Sequence, residues 1–173
     1  MPYYDIVFEG CNADEKTARK LGFEKIGVIP KDIMLLDLDR KKFGGEKRCI
    51  ASGSAGNLSS AVSSGVAAVY LKEPIIDKSL IAKMADNSTI LCISLSEITS
   101  LYGLKRSRTM LKVGRLFLYA KKKDVPVSFI TAARSDSLMC SHMQMVELAK
   151  LLGADEEYAR VSIGETNKML LEI

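Results

Sequence analysis

The stretch VAAVYLKEPIIDKSLIAKMADNSTILCISL, Val66 to Leu95, decides the fold. Its two ends, Val66–Leu71 and Thr89–Leu95, are short, nearly unbroken apolar runs, the pattern of strands covered on both faces. Between them Asp77 stands as a helix cap before a segment reaching Asp86. A strand, a crossover helix and a second strand form a parallel pair, because the crossover deposits its helix on one face of the sheet.

The same rhythm extends outward in both directions. Tyr4–Glu9, Lys25–Ile29, Ile33–Leu38, Arg48–Ser52 and Pro126–Thr131 read as further strands, giving seven. Asn12 is expected to cap a first helix, with Glu15 completing a capping box and Gly22 ending it. Leu58–Ser64 and a long segment from about Ser107 to Lys123 read as helices. After Thr131 the chain is helical to its end, with Ser141–Leu152 stopped by Gly153 and shorter turns at Asp155–Arg160 and Glu165–Leu171. The segment Asp39–Lys47 is too short for a crossover helix, so one unit is degenerate. The pattern predicts an α/β fold, a trimmed TIM-like (β/α) barrel of about seven mostly parallel strands with outer helices and a helical C-terminus. A full barrel usually needs about 250 residues. No repeat, low-complexity tract or linker divides residues 1–173, so one domain is expected.

Of the 173 residues 47% are apolar, enough for a packed core, and the net charge is only +4. That average conceals an asymmetry. Leu101–Lys123 holds Lys105, Arg106, Arg108, Lys112, Arg115, Lys121, Lys122 and Lys123 and no acidic residue, leaving 17 basic against 21 acidic residues elsewhere. A localised cationic strip on a mildly acidic body suits a polyanionic partner. No run approaches eighteen apolar residues, and Met1-Pro2-Tyr3-Tyr4-Asp5 lacks the basic head and apolar run of a signal peptide, so a cytoplasmic protein that meets no membrane is expected. Cys11, Cys49, Cys92 and Cys140 form no CxxC pair and read as reduced thiols. A single histidine, His142, excludes zinc sites built from two or three histidines. His142 itself reads as a capping or surface residue at a helix start.

Spacing within the basic segment is more informative than its count. Lys105, Arg108, Lys112, Arg115, Tyr119 and Lys122 follow one another at steps of three and four, which keeps them on one helical face. Met110, Val113, Phe117 and Ala120 fall on roughly the opposite face. The helix therefore buries one side and presents a cationic rail about 25 Å long, enough to meet several phosphates. Acidic partners at i,i+4 are absent, so the like charges repel by tenths of a kcal/mol per pair in the free protein. A face kept at that cost suggests RNA or another polyanion.

Four other places bear on chemistry. Gly53-Ser54-Ala55-Gly56-Asn57 joins a strand to a helix, where backbone N–H groups can hold a phosphate, but no GK[ST] follows and a tight turn is the simpler reading. Thr131-Ala132-Ala133-Arg134-Ser135-Asp136 follows the seventh strand at the end where barrels place functional groups, so Arg134 either takes a phosphate or pairs with Asp136. Asp5 and Glu9 share a strand face with Val7, and Asp37 and Asp39 follow the third strand; such carboxylates either bind Mg²⁺ at a mouth or satisfy a small barrel core.

Three blocks carry a family resemblance. Cys92-Ile93-Ser94-Leu95 is followed by Leu104-Lys105-Arg106-Ser107-Arg108-Thr109-Met110-Leu111. Ala120-Lys121-Lys122-Lys123-Asp124-Val125-Pro126-Val127 leads through Phe129-Ile130-Thr131 to Ala133-Arg134-Ser135. Leu148-Ala149-Lys150-Leu151-Leu152-Gly153 precedes Ala159 and Ser162. With Leu21-Gly22-Phe23 at the first helix end, about two-thirds of the chain resembles ribonuclease P protein component 3, the TIM-barrel-like subunit shared by archaeal and eukaryotic ribonuclease P. The chain departs from that pattern at His142-Met143, where the family usually has proline-arginine, and at Val161-Ser162-Ile163-Gly164, where it usually has a proline.

The resemblance implies a non-catalytic protein cofactor of an RNA enzyme that removes the 5′ leader from precursor tRNA. Catalysis by Mg²⁺ then belongs to ribonuclease P RNA, and the chain itself binds no cofactor. Its partners are that RNA, ribonuclease P protein component 2 and the other ribonuclease P proteins, with precursor tRNA met indirectly. On this reading Lys105, Arg106, Arg108, Lys112, Arg115 and Lys122 contact RNA and Arg134 is a rim contact. Two alternatives compete: a small barrel metal-dependent phosphoesterase using Asp5 and Glu9, and a scaffold whose basic face meets an acidic protein.

Overall fold

The computed structural model describes residues 1–173. Its strands are β1 (Tyr4–Phe8), β2 (Lys25–Ile29), β3 (Leu35–Asp37), β4 (Ile50–Gly53), β5 (Ala68–Leu71), β6 (Ile90–Ser94) and β7 (Val127–Ile130). Every ladder is parallel: β1 pairs with β2, and β3 to β7 form a five-stranded sheet in chain order. The two sheets meet where β1 runs beside the end of β7. There Ala132 N–H donates to Ile6 O and Phe8 N–H to Ala133 O, each at 2.8 Å. The arc β2-β1-β7-β6-β5-β4-β3 is a trimmed TIM-like α/β barrel, open between β2 and β3. The opening has a simple cause: only Pro30 to Met34 links β2 to β3, and a parallel crossover takes about a dozen residues or more.

Helices cover the outside, except the last, which lies against the inner side. They are α1 (Glu15–Leu21), α2 (Ala55–Ser63), α3 (Lys78–Asp86), the single turn α4 (Ser96–Thr99), α5 (Gly103–Lys122), α6 (His142–Leu151), α7 (Glu156–Val161) and α8 (Asn167–Leu171). A π-helical turn, Ser162–Thr166, joins the last two. No helix is long and apolar enough to cross a membrane. Strand alternation sends Ile6, Ile50, Ala68, Ile90 and Ile130 into an inner cluster and Val7, Ala51, Val69, Leu91 and Phe129 outward against the helices. Burial on both faces is why these strands read as unbroken apolar runs.

Three helix starts differ from the sequence reading, one of them α2, which begins at Ala55 rather than Leu58. The first cap is Asp14, whose side chain accepts from Thr17 N–H at 2.7 Å, rather than Asn12. Asn12 instead belongs to a loop, where its backbone N–H donates to Asp136 Oδ1 at 2.6 Å. Helix α5 begins at Gly103, four residues before the expected start, and its cap residue Tyr102 makes no side-chain bond that would have marked it. The Gly22 stop is as expected, at φ +82°. A Cβ there would lie 2.1 Å from His142 Nδ1, so glycine is also required by packing. Ser141 caps α6 with a full capping box, and His142 stacks on Tyr3 at 4.6 Å between centroids. His142 is thus a packing residue joining α6 to the end of α1.

The C-terminal helix fills the inner side of the arc. Asn167 is fully buried, and its Nδ2 donates to Tyr4 O and Phe129 O, both at 2.8 Å, while Ser128 Oγ donates to its Oδ1 at 2.5 Å. Leu170 joins the inner cluster. Leu171 sits so close to β2 that a Cβ on Gly27 would fall 2.2 Å from it.

Asp5 closes the β1–β7 seam. It is fully buried, and its Oδ1 accepts from Ile6 N–H and Thr131 N–H at 2.8 Å each while its Oδ2 accepts from the Thr131 hydroxyl at 2.5 Å. Burial pushes the carboxyl up to about 6, against the lowering effect of the Thr131 and Ile6 hydrogen bonds. A raised folded-state value means the folded chain takes up its proton first, so this group adds stability as pH falls from about 6 towards 4 and is a cost above about 6. Asp5→Asn removes the charge, keeps Oδ1 as the acceptor for the Ile6 and Thr131 N–H groups, and turns the Thr131 hydroxyl contact round so that the amide donates to it. Its stability relative to wild type is expected to rise between pH 4 and pH 7 by up to about 3 kcal/mol, read by denaturant unfolding at both pH values. Asp5→Ala strands three donors and is expected to lose about 2–4 kcal/mol. A pH-independent Asp5→Asn difference would contradict the buried-carboxylate reading.

Candidate nucleic-acid interface

Helix α5 is anchored by Val113, Leu116, Phe117 and Ala120, all buried, with the Phe117 ring 5.3 Å from Phe129 of β7. Met110, expected on that face, is half-buried. The anchoring turns Lys105, Arg108, Lys112, Arg115 and Lys122 outward, all exposed, with Arg106 and Tyr119 half-buried at the edges. No carboxylate lies within 4.0 Å of any of these cations. The one ion pair on the helix is Lys121 with Asp155 at 2.6 Å, and Lys121 also lies over the Tyr158 ring. Lys112 and Arg115 share a groove of about 470 Å³ with Glu73, Ile75 and Ile76 without an ion pair to Glu73. The rail therefore faces solvent uncompensated, as its spacing predicts.

A third face of α5 was not foreseen. Leu104, Leu111 and Leu118 are exposed at 65%, 55% and 50%, with the small Ser107 and Gly114 between them. Each precedes a member of the rail or Tyr119 by one position, so the same three-and-four spacing carries this stripe too. Ser107, Leu111, Gly114 and Leu118 form a groove of about 550 Å³ with Leu151 and Gly153 beyond the end of α6. A helix with two solvent-facing sides, one cationic and one apolar, presents two kinds of contact surface.

Arg134 is exposed, and its guanidinium lies 4.0 Å from the Phe8 ring centroid in a cation–π contact. The expected alternative pair with Asp136 is not formed: Asp136 accepts from Asn12 N–H instead. Arg134 thus stands at the β1–β7 seam, stacked on Phe8, with no carboxylate within 4.0 Å although its charge favours the ionised form of Glu97.

Apart from Glu9, the carboxylates at the strand ends are occupied within the chain. Asp5 and Glu9 do not form a pair, since Asp5 is sealed against Thr131 and Glu9 is exposed. Burial of Asp5 comes from the β1–β7 contact 126 positions away in sequence, which strand alternation alone does not report. Lys72 Nζ donates to Asp37 Oδ1 at 2.7 Å and to Asp39 Oδ2 at 2.9 Å, and Arg40 lies 3.5 Å from Asp37. Glu97 accepts from the Tyr70 hydroxyl. The turn Gly53–Asn57 is closed by the chain itself: Asp39 Oδ1 accepts from Ser54 N–H at 3.0 Å and from Asn57 Nδ2 at 2.8 Å. A carboxylate thus occupies the position in which a phosphate would need those donors. All four cysteines are free thiols, and burial raises each of them, Cys92 up to about 12. Neutral thiols of this kind are poor nucleophiles.

Hydrogen bonding from Ser54 N–H, followed by Lys72 and Asn57, holds the Asp39 carboxyl well below its ordinary value. A depressed folded-state value gives stability that is present above the ordinary carboxyl range and lost progressively as pH falls from that range towards the depressed value. Asp39→Ala is therefore expected to lower the thermal midpoint at pH 7, with the deficit shrinking towards pH 3. A deficit that is constant over that range would place the role of Asp39 in shape rather than charge.

Comparison with known proteins adds the following. No family model matches the sequence. No curated protein matches it either. Among solved structures, the chain is similar over 98% of its length to 81% of a chain in the cryo-EM structure of archaeal ribonuclease P with mature tRNA, with a TM-score of 0.69 and 17% identity. It is also similar to an uncharacterized protein (TM-score 0.57, 14% identity) and to a Xaa-Pro dipeptidase with methionine bound in its active site (TM-score 0.52, 18% identity). In both cases 72% of this chain is covered, and it spans about a third of the other chain. At these identities the likeness is one of fold.

Proposed function

We propose that the chain is an RNA-binding protein subunit of ribonuclease P, acting in the cytoplasm on RNA-catalysed removal of the 5′ leader from precursor tRNA. The observation that carries this reading is the α5 rail: a row of exposed cations with no counter-charge, on a barrel whose mouth carboxylates are all spoken for or solvent-exposed. The near-complete structural overlap with a chain of an archaeal ribonuclease P complex supports it. Lys105, Arg106, Arg108, Lys112, Arg115 and Lys122 bind RNA phosphates, and Arg134 makes a separate contact at the seam. Mg²⁺ and the chemical step belong to the RNA, with the chain bracing its fold. The exposed Leu104, Leu111 and Leu118 support protein neighbours in the same assembly, among them ribonuclease P protein component 2.

Reconstitution tests this directly. Precursor-tRNA cleavage by ribonuclease P RNA and the remaining proteins is expected to rise when the chain is added. The double charge reversal Arg108→Glu/Lys112→Glu is expected to weaken binding to ribonuclease P RNA about tenfold or more and to make the salt slope shallower by about two, with the melting temperature unchanged. Cleavage indifferent to the chain would overturn the assignment. Equal RNA affinity after both reversals would remove the α5 site alone.

A further inference from the structure

The segment between β3 and β4, Leu38–Cys49, replaces a crossover helix with an ordered strap. Loops of this length without secondary structure of their own are uncommon in compact folds and are usually functional or disordered. This one is pinned. Leu38 and Cys49 are buried at its ends, and Phe43 packs against the main core at its middle. Near its start Asp39 is bonded to Ser54 and Asn57; further on, Glu46 accepts from Gly44 N–H and Cys49 Sγ donates to Glu46 O.

What the strap presents is charge. Arg40, Lys41, Lys42, Lys47 and Arg48 are all exposed, and of these only Arg40 has a carboxylate within 4.0 Å. Residues 39–48 hold five basic and two acidic residues. With the α5 segment, which has eight and none, they leave 12 basic against 19 acidic residues in the rest of the chain. The two cationic segments are therefore the exceptions on an acidic body. Beneath Lys41 and Lys42 runs a groove of about 460 Å³ whose other wall is Asn57, Ser60 and Ser64 of α2 and its cap, with Phe43 at one side. The carboxylate nearest its lining, Asp39, is taken up by Asn57, Ser54 N–H and Lys72, and a Cβ at Gly56, also on that wall, would meet nothing within 4 Å. A groove floored by hydroxyl and amide groups and roofed by lysines fits a sugar–phosphate backbone, in which ribose hydroxyls and phosphate oxygens need donors of both kinds.

We propose that the strap and α2 form a second RNA-backbone site, contacted by Lys41 and Lys42 through phosphates and by Ser60 through ribose or phosphate oxygens, with Asn57 held back by its bond to Asp39. This rests on the RNA reading of α5 and extends it to a bipartite interface. The strap follows β3 at one end of the arc, whereas α5 follows β6, with α2 and α3 between them. At about 10 Å per packed helix the two sites are on the order of 25 Å apart, a distance a folded RNA bridges but a single short strand segment does not follow straight.

The experiment is salt-dependent binding of the full chain to ribonuclease P RNA, comparing wild type, Lys41→Glu/Lys42→Glu and Arg108→Glu/Lys112→Glu. Each double reversal is expected to weaken binding about tenfold and to flatten the salt slope by about two, and the four-site variant to lose both increments. Lys41→Ala/Lys42→Ala, which removes charge without reversing it, is expected to give a smaller loss of the same sign. Folding is monitored by thermal melting, which these exposed substitutions are expected to leave unchanged. If the strap variants bind like wild type while the α5 variant is weakened, the strap site is refuted and the α5 reading stands. If wild type itself shows no salt-dependent affinity for the RNA, the reading of function fails and the strap site with it.

Discussion

The seam between β1 and β7 is the contact on which the arrangement depends. Without it the molecule would be a two-stranded ribbon and a five-stranded sheet with no fixed relation. Asp5 ties it by accepting twice from Thr131 and once from Ile6, beside the backbone bonds from Ala132 N–H to Ile6 O and from Phe8 N–H to Ala133 O and the bridge from Asn167 to Tyr4 O and Phe129 O. A fully buried ionised carboxylate is expensive in itself, and the three bonds make it tolerable. Once β7 is fixed beside β1, Phe129 is fixed as the floor on which Phe117 of α5 packs, and Arg134 is fixed over Phe8. A seam within the core thereby sets where the cations of the surface stand.

Magnitudes explain why α5 can carry uncompensated charge. Repulsion between neighbouring cations at i,i+3 and i,i+4 costs tenths of a kcal/mol per pair, on the order of 1–2 kcal/mol over the rail. Burying Leu116 and Phe117 alone returns about 2 kcal/mol each or more. The helix therefore folds in spite of its charge, and the potential along its outer face remains available to a polyanion. At the strand ends the opposite holds: Asp37 and Asp39 are spent on Lys72, Glu97 on Tyr70, and Asp39 again on the Ser54 N–H. The side of the barrel where enzymes of this architecture gather reactive groups is, in this chain, cross-linked to itself.

Much of this was legible in the sequence, for physical reasons that can be named. All seven strands were: burial on both faces leaves β4, β5, β6 and β7 no polar alternation to confuse the reading, whereas β3, half-buried throughout, keeps only Leu35–Asp37 of the expected Ile33–Leu38. The α5 rail was, because its three-and-four spacing is a property of the helix alone. Asp77 as a cap and Gly22 as a stop were local signals that the structure matches, whereas the Ser141 capping box emerges only from the structure. The start of α5 was not legible, since Tyr102 caps without a side-chain bond. The role of Asp5 was not, because its partner Thr131 lies 126 positions away and nothing local distinguishes a seam carboxylate from a mouth carboxylate. The exposed leucine stripe was not legible, because spacing separates the rail from Met110, Val113, Phe117 and Ala120 but does not say whether Leu104, Leu111 and Leu118 are covered; only the packing shows that α5 has a third, uncovered face.

The most direct measurement is lysine acetylation footprinting of the full chain with and without ribonuclease P RNA, read residue by residue by mass spectrometry. Bound RNA should shield Lys105, Lys112 and Lys122 while leaving Lys16, Lys20 and Lys25, on and beside α1, as reactive as in the free protein. Reactivity along α5 that is unchanged by RNA, or shielding centred on the α1 lysines instead, would contradict the claim that the uncompensated face of α5 is where this protein meets its partner.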